Sequence, residues 1–241
     1  MPASEQNWIQ FWKSERHAFD EVMRLATRYF AAQISRHFKL SDKTFVFDYG
    51  CGPGFLADEL IPGGLNFTGA DINPYFIERC QANHRGSQFF VIDADADRNA
   101  STLQQHLKQP ADFIILLSIT QYLSAPSDLE KIVASLRPHL ATSGKIIIAD
   151  VVDEHTRSYR DALSLLAHTI RNGKVGAFVR FMRYVLRSEY ASIAENNHLL
   201  FIPKDFIEQM CERQGFICRE IEGLTFHPTR RNYTLEAKER I

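Results

Sequence analysis

The sequence predicts an α/β fold in which a mostly parallel sheet, wrapped by helices, ends in a C-terminal antiparallel hairpin. Three observations carry this. An apolar run, Phe45-Val46-Phe47, ends in Asp48 and opens into Gly50, Gly52 and Gly54 at every second position. Strand-like apolar runs then alternate with helix-patterned stretches as far as Asp150, which implies parallel strands joined by crossover helices. Near the C terminus, two more strand patterns are joined by Thr225-Phe226-His227-Pro228-Thr229-Arg230-Arg231, too short for a crossover helix, so they should pair antiparallel.

The elements follow in order. Over residues 7–38, Trp8, Phe11, Trp12, Phe19, Val22, Ala26 and Tyr29 recur at helical spacing among charges, which predicts an amphipathic helix or a pair of them. The run from Phe45 suits a strand buried on both faces, and the glycines after it permit a tight turn and close approach of a ligand to the backbone. Phe55-Leu56-Ala57-Asp58-Glu59-Leu60 are good helix formers, so the loop lies where helical N–H groups point outward. Strands are expected over 66–72, ending in Asp71, over 88–92 and over 111–117. Apolar residues at 129, 132, 133, 136 and 140 predict a helix, and 144–150 a fifth strand. Between 154 and 202 lies an insertion. Residues 161–170 look helical, Asn172-Gly173-Lys174-Val175-Gly176 break the pattern, and Phe178, Phe181, Met182, Val185 and Leu186 mark the apolar face of a second helix. Pro203 should open a helix running to about Arg213 and ended by Gly215, before strands over 216–224 and 232–237.

At 241 residues with 45% apolar content, the chain can fill one core, so a single domain over 1–241 is expected, with 1–40 as an N-terminal helical cap and 156–202 as a helical lid. A net charge of -1 gives no global attraction to nucleic acid. Cys51, Cys80, Cys211 and Cys218 show no C-x-x-C spacing, the N terminus lacks the apolar run of a signal peptide, and no window approaches a transmembrane segment. A cytoplasmic protein with reduced thiols is expected.

Function turns on the spacing of the glycines. An acid about twenty residues past the first glycine, here Asp71, can take both hydroxyls of a ribose in nicotinamide enzymes and methyltransferases alike. The dinucleotide fingerprint wants Gly or Ala three places after the second glycine, where this chain has Phe55; its glycine sits one place earlier, at Gly54. The order D-x-G-x-G-x-G, with Asp48 two residues before Gly50, resembles motif I of the class I S-adenosylmethionine-dependent methyltransferases. Gln88 to Ala96 is similar to that family's third strand and adenine-facing acid, Ala111 to Leu123 to its fourth strand and following loop, and the hairpin to its sixth and seventh strands. The resemblance implies a Rossmann-like methyltransferase fold, S-adenosylmethionine as donor and S-adenosylhomocysteine as product. It further implies that Asp48, Gly50, Cys51, Gly52 and Gly54 surround the methionine portion, Asp71 the ribose and Ile72 one adenine face. Asp95 with Ala96 would meet the adenine edge, preferred to Asp93 because alanines flank Asp95. Ser118 and Tyr122 would lie near the transferring methyl. Gly50 and Gly52 are best explained by ligand approach, and Cys51 is a tolerated loop residue, since methyl transfer needs no enzyme thiol.

A sulfonium makes its methyl group electrophilic, so the protein mainly has to hold a nucleophile in line and exclude water. The fourth strand is followed by Ser118-Ile119-Thr120-Gln121, unlike the acid or Asn with Pro-Pro and an aromatic of amide and nucleobase amino methyltransferases. No metal is expected, because Ser118 stands where catechol-type enzymes place an acidic ligand. For a hydroxyl acceptor His155 is the candidate general base, with His168, His198 and His227 as rivals. Seven basic residues between Arg157 and Arg187 face one acid, Asp161. They form a solvated face, the approach for an anionic small molecule or an acidic carrier protein, or, less favoured, a surface that docks on a membrane. The expectation is methyl transfer to an oxygen of a hydrophobic, anionic metabolite. Nitrogen or carbon transfer, a non-catalytic methyltransferase-like binding subunit, and an NAD-dependent reductase disfavoured by Phe55 are the alternatives.

Overall fold

The computed structural model describes residues 8–14, 20–152, 156, 158–187, 193 and 199–238. Seven strands form one sheet: β1 (Phe45–Tyr49), β2 (Asn66–Asp71), β3 (Gln88–Val91), β4 (Ala111–Leu117), β5 (Leu140–Val151), β6 (Phe216–Glu220) and β7 (Arg231–Ala237). Their order is β3-β2-β1-β4-β5-β7-β6. The first five run parallel, and β7 is antiparallel to both of its neighbours, as the short connecting loop requires. Because β6 is reversed twice relative to β5, it points the same way as the parallel strands. The β6–β7 loop therefore falls at the carboxyl edge of the sheet, beside the ends of β4 and β5. The strand order changes direction between β1 and β4, the place where open α/β sheets leave a crevice for ligands.

The apolar runs form strands because both of their faces are covered. Phe47, Tyr49, Ile146 and Ile148 join one cluster with Leu103, Leu129, Ile132, Ile207 and Met210, from helices α5 (Ala100–His106), α6 (Pro126–Leu136) and α9 (Lys204–Arg213). Val46, Ile147 and Ala149 join the other with Phe30, Ile34, Leu56 and Ile77, from α2 (Asp20–Phe38), α3 (Phe55–Leu60) and α4 (Pro74–Asn83). Alternate residues of one strand thus feed opposite cores. The helical period read through Leu140 stops earlier: α6 ends at Leu136, a 3-10 turn spans Arg137–His139, and Leu140 begins β5. Pro138 explains the difference, since its ring and missing N–H do not extend an α-helix. Likewise β6 ends at Glu220, short of the apolar Leu224.

The cap consists of α1 (Trp8–Ser14) and α2, and the insertion contains α7 (Ser158–Arg171) and α8 (Val175–Arg187). α8 packs against both α7 and α2, and Arg180 pairs with Glu21. Trp8 and Phe11 are buried beside Ile193, with the Tyr122 ring 5.3 Å from Trp8 and 5.0 Å from Trp12. Asn73 ties this cap to the sheet. Fully buried just past β2, it accepts from Tyr75 N at 3.0 Å and Phe76 N at 3.4 Å as the N-cap of α4, while its Nδ2 donates to Trp12 O at 2.7 Å. Among the described residues no helix is long and apolar enough to cross a membrane.

Asn73→Ala removes a helix cap and leaves the Trp12 carbonyl without that donor. We expect a loss of about 2 kcal/mol in denaturant unfolding and faster amide exchange over Trp8–Ser14 than in the wild type.

Candidate functional site

One cavity of about 630 Å³ opens at the carboxyl edge of the sheet, within the range of small-molecule sites. Its floor is the end of β1 with the glycine loop, and its walls are the ends of β2, β4 and β5. The cap contributes Ile9 and Trp12, the lid Leu165, Phe181, Met182 and Val185, and the β6–β7 loop Phe226, His227 and Arg230.

The three glycines are there for different reasons. Gly50, at φ +83°, lines the cavity and donates to Ala70 O at 2.7 Å, and a Cβ on it would lie 2.6 Å from Cγ2 of Ile119. Gly54, at φ +86°, lies outside the cavity lining, and its Cβ would lie 2.7 Å from Sγ of Cys80. At Gly52, with φ +52°, a Cβ would meet nothing nearer than Cε of Met23 at 4.0 Å. Chain conformation and protein packing therefore account for Gly50 and Gly54, which corrects the expectation that Gly50 needs a ligand to explain it. Gly50 and Gly52 both line the cavity, and only at Gly52 of the three would a Cβ find open space. Cys51 is buried in the loop wall.

Two acids meet the loop. Asp71 accepts from Gly52 N through Oδ2 and from Asn73 N through Oδ1, each at 2.8 Å. Burial raises its pKa to about 6 despite those bonds. Asp48, at the end of β1, is raised to about 8, first by burial and then by the charge of Asp71. Ile72 lines the cavity beside them. Beyond β3 it is Ile92, Asp93 and Ala94 that line the wall, whereas Asp95 and Ala96 do not. Asp95 instead caps the turn Ala96–Arg98, accepting from Asp97 N at 3.2 Å, and Ala96 is buried in the core. Asp93 is held in place by Asn99, which accepts from its N–H at 2.8 Å and donates to its carbonyl at 2.9 Å. Of the two alanines that favoured Asp95, Ala94 lines the cavity and Ala96 packs beneath the turn.

The ends of β4 and β5 are strained. Ser118 at φ +57° and Asp150 at φ +65° occupy the left-handed region without being glycine, a cost of about 1–3 kcal/mol each. They hold each other, Ser118 Oγ donating to Asp150 Oδ2 at 2.8 Å, and Asp150 N donates to Asn232 Oδ1 at 3.1 Å. Tyr122 lines the cavity beneath the cap tryptophans, while His155 lies outside the described residues, as do Asp153, Glu154, Arg157 and His198.

Several lining residues are absent from the sequence-based set: Gln121, Asp161, Thr225 and Arg230. Among the described residues, Gln121 Oε1, Asp150 Oδ1, Thr225 Oγ1 and Arg230 Nη1 are buried without a hydrogen-bond partner. The basic residues of the lid that drew attention in the sequence stand elsewhere: Arg160, Arg171, Lys174, Arg180 and Arg183 are exposed and none lines the cavity. The signal for Arg230 was the direction of β6, which carries the loop 225–230 to the carboxyl edge.

A family model described as a methyltransferase domain matches residues 14–221. The mitochondrial ubiquinone biosynthesis O-methyltransferase of Schizosaccharomyces pombe is 20% identical over 192 residues, which are 79% of this chain and 61% of that protein. The ubiquinone biosynthesis O-methyltransferase of Nitrosococcus oceani is 24% identical over 204 residues, 84% of this chain and 75% of that protein. The chain therefore spans about three fifths of the yeast relative's length. Among solved structures, the plantazolicin methyltransferase BamL, in complex with a triazolic desmethylPZN analog and SAH, matches with a TM-score of 0.58 at 14% identity, covering 98% of this chain and 97% of that one.

The raised acids make stability depend on pH. An acid bound more tightly to its proton in the folded state costs nothing below its unfolded pKa, and progressively destabilises the fold as pH rises to its folded value. Asp71 acts in this way from about pH 4 to 6 and Asp48 from about pH 4 to 8. In urea titrations of the ligand-free protein, Asp48→Asn should be the more stable form, by a margin that grows from pH 4 and levels off near pH 8.

Proposed function

The chain belongs to the class I S-adenosylmethionine-dependent methyltransferases, and on that premise we propose that it methylates an oxygen of a small, hydrophobic, anionic metabolite and releases S-adenosylhomocysteine. One observation carries the reading: a single cavity joins a glycine loop with two buried carboxyls to an apolar chamber that holds unpartnered polar groups. The first half suits the donor and the second an acceptor.

When bound, the donor supplies an electrophilic methyl on a sulfonium and a cationic amino group. Asp71 gives that end of the cavity negative charge, and the positive charge of a bound donor would favour the ionised form of Asp48, which burial opposes. Gly52 lets the backbone approach the methionine portion. Asp71 keeps lone pairs for the ribose hydroxyls, Ile72 covers one adenine face, and the wall of Asp93 and Ala94 takes the adenine edge in place of Asp95 and Ala96. Ser118 and Tyr122 border the space for the methyl group. Catalysis is by positioning, with the cap and lid excluding water. Both relatives are O-methyltransferases by name, which supports an oxygen acceptor. Cys51, Cys80, Cys211 and Cys218 are unpaired thiols, which suits the cytoplasmic setting we propose.

Calorimetry tests the donor half. The wild type should bind S-adenosylmethionine and S-adenosylhomocysteine, and Asp71→Ala should weaken both by about 10- to 100-fold, the worth of hydrogen bonds to a charged group. A wild type that binds neither compound would refute the assignment.

A further inference from the structure

The donor assignment leaves unused a group of side chains on the β5 side of the cavity, contributed by α7 and by the β6–β7 loop. His227 Nδ1 lies 2.9 Å from Ser164 Oγ and 3.8 Å from Asp161 Oδ1. The Ser164 hydroxyl has one proton, and its oxygen is 2.8 Å from the backbone carbonyl of Asp161, which can only accept. With that proton committed, Ser164 Oγ receives a hydrogen bond from Nδ1, and the nearby Asp161 carboxylate also favours a proton on that nitrogen. A neutral imidazole carries one N–H, so the lone pair resides on Nε2. Burial lowers the pKa of His227, with Arg230 and His168 pushing the same way and Asp150 and Asp161 opposing them. The ring is therefore neutral near pH 7. Phe226 lies against it at 4.1 Å between ring centroids.

Arg230 stands beside this ring. Its Nε donates to Asp161 Oδ2 at 2.7 Å and lies 4.0 Å from Asp150 Oδ1, while Thr229 Oγ1 donates to Asp161 Oδ1 at 2.6 Å. Among the described residues, Nη1 of Arg230 is buried with no acceptor, although the side chain lines the cavity. A guanidinium stays charged, and a buried N–H without an acceptor costs about 1–3 kcal/mol, which an anionic ligand oxygen would relieve.

We propose that His227 and Arg230 form the acceptor subsite, where Nε2 of His227 takes the proton of the acceptor hydroxyl and Nη1 of Arg230 holds an anionic oxygen of the same molecule. The acceptor class is an apolar hydroxy acid, most simply an aromatic one, given the Trp12, Phe181, Phe226 and Leu165 walls. The proposal rests on the methyl-transfer reading. In the step, the O–H bond breaks and its proton goes to Nε2. The oxygen's electron pair forms the bond to the methyl carbon, and the pair of the broken carbon–sulfur bond stays on sulfur, so sulfonium becomes thioether. Ser164 and Asp161 are positioning residues that set the tautomer.

Two measurements test this. Proton–nitrogen correlation spectra of histidine-labelled wild type, with His227 assigned through His227→Gln, should show the Nδ1–H tautomer. Ser164→Ala should shift it toward Nε2–H, and Ser164→Thr should restore it. An Nε2–H tautomer in the wild type overturns the base assignment. By calorimetry on protein saturated with S-adenosylhomocysteine, the wild type should bind 3-hydroxybenzoate more tightly than 3-hydroxybenzamide, and Arg230→Gln should weaken the acid by about 10- to 100-fold while sparing the amide. Equal binding of the two probes by the wild type, or an equal loss of both in the variant, overturns the anion site. Binding of S-adenosylhomocysteine checks that each variant is folded, and the wild-type preference for the acid over the amide carries the test if Arg230→Gln is not. Failure of the wild type to bind S-adenosylhomocysteine would instead sink the methyltransferase reading itself.

Discussion

The carboxylate of Asp71 is the point on which the rest of the site hangs. It ends β2 and takes the N–H of Gly52 on one oxygen and that of Asn73 on the other. The first bond sets the glycine loop against the sheet. The second positions Asn73, which caps α4 and holds the carbonyl of Trp12. One buried anion thus orients the loop, a helix and the cap together. Its burial is opposed by backbone N–H groups, which keep its pKa near 6, while Asp48 beside it lies near 8. The ligand-free site is short of positive charge, a deficit that fits a donor carrying both a sulfonium and an ammonium.

The other half of the cavity is built from segments far apart in sequence. Ser118 directly follows β4, Asp150 lies near the end of β5, Asp161 comes from the lid, and Arg230 from the hairpin loop. Asp161 receives from Thr229 and Arg230, so the lid helix is fastened to the hairpin by charge-assisted hydrogen bonds inside an otherwise apolar wall. Ser118 and Asp150 hold left-handed backbone angles that neither residue favours, and their mutual hydrogen bond keeps them there. Strain retained at the ends of two central strands, facing a cavity, is the pattern of a site whose geometry serves a ligand rather than the core.

The strands, their order of appearance and the closing hairpin were legible because each apolar run feeds two cores and each connector is either long enough for a helix or plainly too short. Asp48, Gly52, Asp71 and Ile72 were legible for a related reason: backbone geometry at the end of a buried strand leaves few arrangements. Proline broke the period at Pro138, a local effect that the apolar spacing of Leu136 and Leu140 concealed. Asp93 and Asp95 differ only in which way a short turn faces, and small neighbours do not decide that. The lid arginines were conspicuous in sequence because they cluster, yet an amphipathic helix directs its charges to solvent. Arg230 was inconspicuous within a seven-residue connector, although the direction of β6 required that connector to reach the carboxyl edge.

The proposed role of His227 as base for the acceptor also answers an electrostatic difficulty of methyl transfer in a closed cavity. Transfer from a sulfonium to a neutral hydroxyl leaves a proton to be placed, and with solvent excluded that proton has to stay on the protein. A neutral imidazole accepts it, so the net charge within the walls is unchanged: the positive charge leaves sulfur and appears on His227. Its new position is better than its old one in one respect. Asp161 lies 3.8 Å from Nδ1, and Asp150 also favours the protonated ring, while Arg230 is already paired to Asp161 through Nε. The acids that prevent His227 from being more strongly neutral in the resting site are the same groups that stabilise it once charged. A base with its pKa lowered by burial, but flanked by carboxylates, can therefore take a proton without becoming an isolated buried cation.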